Sequence, residues 1–555
     1  MNNKIMRTGG QLVSDALQVQ GADNVFCVPG ESYLEVLDAL YDAGNAIQVI
    51  SCRHEHGAAN MAEAYGKLTG KPGICMVTRG PGACNASIGV HTAFQDSTPM
   101  ILFIGQVGRQ YLGREAFQEV DYVQMFTPLA KAVEQIAAAQ DVPAAIARAY
   151  ETALSGRPGP VVLALPEDML RESCEAPEVE PVVIDSKQPG PGEMERLHHM
   201  LGDSKRPLML VGGGGWSDQA RGDILAFAEA NNLPTCCSFR RHDLFDNDHE
   251  NFVGEMGISP NPTLLERLKQ ADLLLVVGAR LGEMTTQGYT LLAEPAPVQA
   301  LIHVHADSAE LGKVYKPDLA IHAGMSTFAA AARQLTPVQS DHRKADAQAG
   351  RREYLEGRIP APYEGALDLG RVMAVVDEML GDDGIVCVDA GNGSGWPQRF
   401  IPIGADRMLL GPTSGAMGYG VPAALAAKAV YPHRTVVACV GDGCFGMTGQ
   451  EISTAVKDSL APIILIFNNA MYGTIRLHQE RRHPNRVIAT DLVNPDYAAV
   501  ARASGAFGET VHNTEEFRPA FERALRSGQP AVIDLHMDPD VITTRTTLSA
   551  IGKNG

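Results

Sequence analysis

The chain is short of positive charge. Its 555 residues hold 46 Lys and Arg against 65 Asp and Glu, a net charge of −19. That deficit argues against nucleic acid or an anionic membrane as a partner. Long apolar runs are also missing. No stretch approaches the ~20 residues needed to span a bilayer, and the polar start, Met1 to Gln11, has no signal-peptide core. The expected location is cytoplasmic. The ten cysteines include no C-x-x-C pair. Cys236 and Cys237 are adjacent, and most others, such as Cys75 and Cys439, lie in apolar runs. Such spacing points away from zinc and from a disulfide framework, toward buried reduced thiols. What remains is 45% hydrophobic and 20% charged with 56 glycines, the composition of a turn-rich globular protein.

The length exceeds what one core organises. Two stretches read as linkers: Glu172 to Gly192, acidic and carrying Pro177, Pro181, Pro189 and Pro191, and Thr336 to Pro362, polar with little apolar periodicity. Cutting there predicts three domains, 1–175, 190–338 and 363–545, each of ordinary domain size. Each alternates short apolar runs with helical patterns, the signature of parallel α/β sheets. Expected strands are Gly73 to Thr78 and Met100 to Gly105 in the first domain. The second offers Leu208 to Val211, Leu273 to Val277 and Leu301 to Val304. The third offers Ile385 to Val388, Thr435 to Val440, Ile463 to Phe467 and Val532 to Leu535. No sequence repeat is visible.

The most informative pattern lies in the third domain. Gly441-Asp442-Gly443 follows one apolar run, and Asn468-Asn469 follows the next. Between them Thr448 and Glu451 spell a capping box, with Ile452, Ala455, Val456 and Leu460 on one helix face. Strand, turn, helix and strand then place a carboxylate and an amide at neighbouring strand ends, where such sheets bind ligands. Asp442, Asn469 and a backbone carbonyl just after it are oxygen ligands suited to Mg²⁺, which commonly bridges to a substrate's phosphates. A diphosphate there would accept N–H bonds from Gly443 and Cys444 as the chain turns into its helix. Gly441 to Gly446 also spells G-x-G-x-x-G, but a dinucleotide fold wants an acidic residue where this chain has the asparagine pair. The plainest alternative is a tight turn with an Asn cap.

G-D-G, about two dozen residues, then N-N resembles the signature of thiamine diphosphate-dependent enzymes, and other motifs agree. Arg53 to Ala59, Gly80-Pro81-Gly82-Ala83-Cys84-Asn85, and Gly113 to Glu119 are similar to the first domain of the acetolactate synthase, pyruvate oxidase and benzoylformate decarboxylase group. Gly156 to Pro160 and Gly415 to Pro422 belong to the same pattern. The resemblance covers essentially the whole chain. It implies three α/β domains (pyrimidine-binding, central and diphosphate-binding), thiamine diphosphate with Mg²⁺, and a homodimer or homotetramer whose active sites draw on two chains.

Residue by residue, the resemblance implies that Glu55 bonds the cofactor's aminopyrimidine and promotes its imino tautomer; alone, a Glu after Arg-His reads as a surface salt bridge. Met417, otherwise a core methionine, would hold the cofactor bent. Pro29, Pro81, Asn85, Asn392, Gly393, Gly415, Gly441, Tyr472 and Gly473 would contact the cofactor, and the Met471 carbonyl would complete the metal's protein ligands. Gly391-Asn392-Gly393 is equally ordinary turn chemistry. Glu31 would relay protons or cap a helix starting near Ser32. Gln118 and Thr78 would act beside the thiazolium, with Phe117, Thr474 and His478 on the substrate side. FAD, an ADP moiety or plain backbone packing would explain the turn Val211 to Gly215.

Departures leave the activity open. Glu167 follows Pro166 where acetolactate synthases carry Lys, and the Trp they place near His478 is missing. So are the Glu near Ile475 and the His pair near Ala116 of pyruvate decarboxylases, and the pocket His near Thr78 of benzoylformate decarboxylase. The leading expectation is decarboxylation or carboligation of a 2-oxo acid. The alternatives are an oxalyl-CoA or 2-hydroxyacyl-CoA lyase, with Arg240, Arg241 and His242 as charge for an ADP group, a catalytically silent subunit, and a nicotinamide oxidoreductase.

Overall fold

In a computed structural model, which describes residues 6–175, 179–338, 340–361, 363 and 365–552, the chain builds three six-stranded sheets, all parallel. The start of the polar N-terminal segment, residues 1–5, and Pro177 and Pro362 of the expected linkers lie outside the described residues. The expected α/β class with three doubly wound sheets is what the molecule has.

The first sheet runs in space Gln48–Ser51, Asn24–Cys27, Gly73–Val77, Met100–Gln106, Pro160–Pro166, Ala132–Gln135. The third runs Met408–Leu410, Ile385–Val388, Val436–Gly441, Ile463–Asn468, Ala531–His536, Phe507–Val511. Numbered along each domain, both follow the order 2-1-3-4-6-5. The central sheet follows 3-2-1-4-5-6, the order of many dinucleotide-binding sheets. In all three the direction of winding reverses beside the first strand, which opens a crevice at the carboxyl ends there.

The first and third domains share one apolar core. Helix Glu55–Thr69 lies against helix Gly420–Val430, and both are rich in fully buried alanines, Ala58, Ala59 and Ala62 in one and Ala423, Ala424 and Ala427 in the other. Small side chains let the two backbones approach closely. Polar ties flank the seam. The buried Glu63 accepts from Tyr419 Oη at 2.6 Å and Thr98 Oγ1 at 2.7 Å, and Lys67 Nζ donates to the Gly411 carbonyl at 2.8 Å.

Two local expectations are corrected. The polar stretch read as a linker holds helix Asp341–Gly357, packed on the central domain. Its buried positions are Arg343, Ala347 and Gly350, helically spaced but hardly apolar, so hydrophobic periodicity is blind to it. The capping box at Thr448 and Glu451 does not form. Helix Asp442–Thr448 begins at the aspartate, and the Thr448 hydroxyl donates to the Gly418 carbonyl at 2.9 Å. Glu451 instead accepts the amides of Arg53 at 3.1 Å and His54 at 3.0 Å from the first domain. Among the described residues no helix is long and apolar enough to cross a membrane, and all ten cysteines are free.

Candidate active site

The third domain's crevice holds a cavity of about 220 Å³ between the loops that leave strands Ile385–Val388, Val436–Gly441 and Ile463–Asn468. It gathers Asn392, Gly393, Gly415, Met417, Gly441, Asp442, Gly443, Cys444, Asn469, Met471, Tyr472, Gly473 and Thr474, residues singled out in the sequence. Strand register explains the meeting. Gly441 pairs with Phe467 in adjacent parallel strands, so Asp442 leaves the sheet level with Asn468 and Asn469 follows one residue on.

Asp442 is 3% exposed. Its Oδ1 accepts the Gly443 amide at 2.9 Å and its Oδ2 accepts Asn494 Nδ2 at 2.8 Å. Burial raises its carboxyl above the ordinary value despite those bonds. Asn469 Oδ1 accepts the Met471 amide at 3.2 Å across Ala470, which stands at φ +54°. Asn468 supports from behind, giving Nδ2 to Asp534 at 3.0 Å and taking Asn494 Nδ2 at 2.9 Å. Asn494 was not legible in the sequence: it sits in an ordinary Asn-Pro turn, and only the fold brings it to Asp442. Gly443 leaves room for Tyr472, whose ring atoms lie 2.6 Å from where a Cβ would stand. Asn392 gives its amide N–H to Thr474 Oγ1 at 2.9 Å, while its side-chain Nδ2 is buried with no partner among the described residues. Trp396, Phe467, Met537 and Ile542 supply apolar wall.

Met417 lies on the turn entering helix Gly420–Val430. Asp389, fully buried, holds this turn: its carboxylate accepts the amides of Ala390 at 2.7 Å, Gly418 at 2.9 Å and Gly420 at 2.7 Å.

The first domain gathers a second set at its own crevice. Glu55 opens helix Glu55–Thr69, is 9% exposed and accepts Asn85 Nδ2 at 2.9 Å. A carboxylate is favoured in that first helical turn. Thr78 Oγ1 meets Ser32 Oγ at 2.9 Å, and Gly30 and Gly82 lie against Thr78 so closely that a Cβ on either would touch it. Gly80 packs the same way on Gln118, which stands at φ +65°. Glu31 caps no helix; it pairs with Arg79 at 2.8 Å, and Arg79 also pairs with Glu167 at 3.1 Å. Pro29 and Pro81 are exposed on the rim.

Other expected residues stand apart. Phe117 is 73% exposed. His478 is exposed on helix Gly473–Arg482 and does not line the cavity. Nor does Glu55: the cavity's lining is wholly third-domain. Arg240 and His242, expected as charge for an ADP group, are 1% and 2% exposed and face inward.

Comparison with known proteins decides the family. Residues 7–125, 194–332 and 389–535 match the N-terminal TPP binding, central and C-terminal TPP binding domains of thiamine pyrophosphate enzymes. The acetolactate synthase large subunit of Corynebacterium glutamicum is 32% identical over 553 residues, covering 96% of this chain and 87% of the relative. This chain belongs to the thiamine pyrophosphate enzyme family. The isozyme 2 large subunit of acetolactate synthase from Escherichia coli K12 is 31% identical, covering 96% and 95%. A probable acetolactate synthase large subunit of Methanocaldococcus jannaschii is 29% identical, covering 96% and 92%. The chain is thus an acetolactate synthase-like thiamine diphosphate enzyme of the decarboxylase and carboligase kind, its three sheets corresponding to the family's three domains.

Proposed function

We propose that the third-domain cavity holds thiamine diphosphate through one Mg²⁺, and that the enzyme decarboxylates a 2-oxo acid and passes the remaining carbon unit to a proton or a second carbonyl. The observation that carries this is the convergence of Asp442, Asn469 and Met471 in one cavity with Met417. A buried carboxylate beside an amide oxygen and a backbone carbonyl is a hard-oxygen set suited to Mg²⁺. The partnerless Asn392 Nδ2 offers a donor to a diphosphate oxygen, and Met417 offers the apolar support for a bent cofactor.

Bound thiamine diphosphate supplies the electron sink that lets a 2-oxo acid lose CO₂. The chain supplies position and proton traffic. Glu55, held by Asn85, would bond the aminopyrimidine, and Glu31, Thr78 and Gln118 would face the reacting carbonyl from the same crevice. Because Glu55 does not line its own chain's cavity, its site is completed by a neighbouring chain, which makes the working protein a homodimer or homotetramer.

The expected turn Val211 to Gly215 has a plain packing role in part. A Cβ on Gly213 would stand 2.0 Å from the Gly278 carbonyl and one on Gly214 2.3 Å from that of Ser97. Gly213 and Gly214 therefore serve close backbone packing, and Arg280 donates to the Gln95 carbonyl. No step is assigned to FAD.

The test is a panel of 2-oxo acids and acyl-CoAs, incubated with thiamine diphosphate and Mg²⁺ and followed for CO₂ and for aldehyde or hydroxyketone. Turnover of a 2-oxo acid is expected. Glu55→Gln should lower it by about 10²–10⁴-fold with the cofactor still bound. Cofactor binding without turnover of any substrate would indicate a silent subunit, and near-normal turnover in the variant would remove Glu55 from the mechanism.

A further inference from the structure

Arg240 belongs to the central domain, yet its guanidinium is spent on the third. It is 1% exposed and stands at φ +58°, a strained conformation for a side chain of this size. Burying a guanidinium is costly unless its donors are satisfied. Burial depresses the group's basicity, and Asp96 and Asp389 oppose that only as charges at a distance. Its hydrogen bonds go instead to neutral oxygens. One arm of the fork donates to the Pro412 carbonyl, the other to the Asp389 carbonyl at 2.8 Å and Ser394 Oγ at 3.3 Å. The passage is shaped for it: a Cβ on Gly411 would stand 3.0 Å from Arg240 Cδ.

Those oxygens sit on the two loops that flank the cofactor cavity. Asp389 begins the loop that carries Asn392, and Ser394 Oγ donates to the Gly391 carbonyl at 2.9 Å within it. Pro412 begins the loop that carries Met417. The Asp389 carboxylate then ties the first loop to the second through the amides of Gly418 and Gly420. We infer that Arg240 is a positioning residue that sets, from the central domain, the separation of the Asn392 and Met417 loops, and so the width of the cavity. A planar fork can hold two loops at once, and a lysine ammonium on a flexible stem cannot hold the same pair in fixed geometry. The inference rests on the proposed cofactor site only for its consequence, not for the loop geometry itself.

Arg343 provides the control. It is equally buried, at 2% exposure, and gives its guanidinium to the carbonyls of Val338 at 2.8 Å, Ser204 at 2.6 Å and Leu201, all within the central domain. Arg240→Lys and Arg343→Lys are compared in the full-length protein. Without cofactor, amide hydrogen exchange at Gly418 and Gly420 is expected to quicken in Arg240→Lys and not in Arg343→Lys. In a titration with thiamine diphosphate and Mg²⁺, read by fluorescence of the cavity's Trp396, Arg240→Lys is expected to raise Kd about tenfold or more, while Arg343→Lys leaves it unchanged. Wild-type exchange in Arg240→Lys, or an equal effect of both variants, would overturn the inference. Failure of the wild type to bind thiamine diphosphate would overturn the proposed function instead and leave the exchange result to decide this one.

Discussion

One residue past Glu55, His56 is packed against the turn that carries Met417; a Cβ on Gly418 would lie 3.0 Å from its Cε1. Burial, with His54 beside it, pulls His56 down from its ordinary 6.5 to about 4. The unfolded chain therefore holds a proton at this residue, between pH 6.5 and 4, that the folded chain does not, and stability falls as pH drops through that window. His56→Gln should remove this contribution. Between pH 8 and pH 5 its urea midpoint is expected to fall less than the wild type's, and equal falls would mean His56 is not buried neutral. At this scale the sequence reveals chemistry that is contiguous along the chain. Asp442, Asn469 and Glu55 sit inside spelled motifs, and the fold places the first two in one cavity. The roles of Asn494, Asp389, Arg240 and Glu451 are illegible because their partners are largely backbone amides, carbonyls and one carboxylate brought from other segments.

Buried parallel strands read as unbroken apolar runs, which is why Gly73–Val77, Met100–Gln106, Leu273–Val277 and Ile463–Asn468 are visible in the sequence. Edge strands Gln48–Ser51, Ala132–Gln135 and Phe507–Val511 are only partly buried, so they lack such a run and go unseen. Helix Asp341–Gly357 is hidden for the reason its buried arginine shows: a guanidinium satisfied by carbonyls does the work that periodicity assigns to leucine. Turns matter as much as strands to the cavity. Gly418 stands at φ +82°, and a Cβ there would come within 2.8 Å of Met447 Cβ. Gly418→Ala is expected to cost about 1–3 kcal/mol in urea unfolding and to weaken cofactor binding, since the same turn positions Met417. A variant as stable as the wild type would show that the turn adapts freely.

Across the whole molecule, the first and third domains repeat one strand order without a visible sequence repeat. The shared order puts a crevice at the end of each sheet: Glu31, Thr78 and Glu55 around one, Asn392, Asp442 and Asn469 around the other. Within one chain the two domains are joined through the Glu55–Thr69 and Gly420–Val430 helices and through Glu451, and the proposed function assigns the first domain's crevice residues to the site of a second copy. Large apolar side chains stand exposed on both, Leu34 at 54% and Phe117 at 73% on the first, Ile475 at 54% on the third. Sedimentation should give a mass at least twice the 59.3 kDa chain, and a monomer at working concentration would leave the site incomplete.

Complementation between two inactive variants tests that site most directly. Glu55→Gln and Asp442→Ala are each expected to be nearly inactive alone. Unfolded together and refolded, they would form hybrids in which one site pairs an intact Glu55 from one chain with an intact Asp442 from the other, restoring about a quarter of the wild-type rate. No recovery in hybrids shown to have formed would contradict a cavity completed across the subunit boundary.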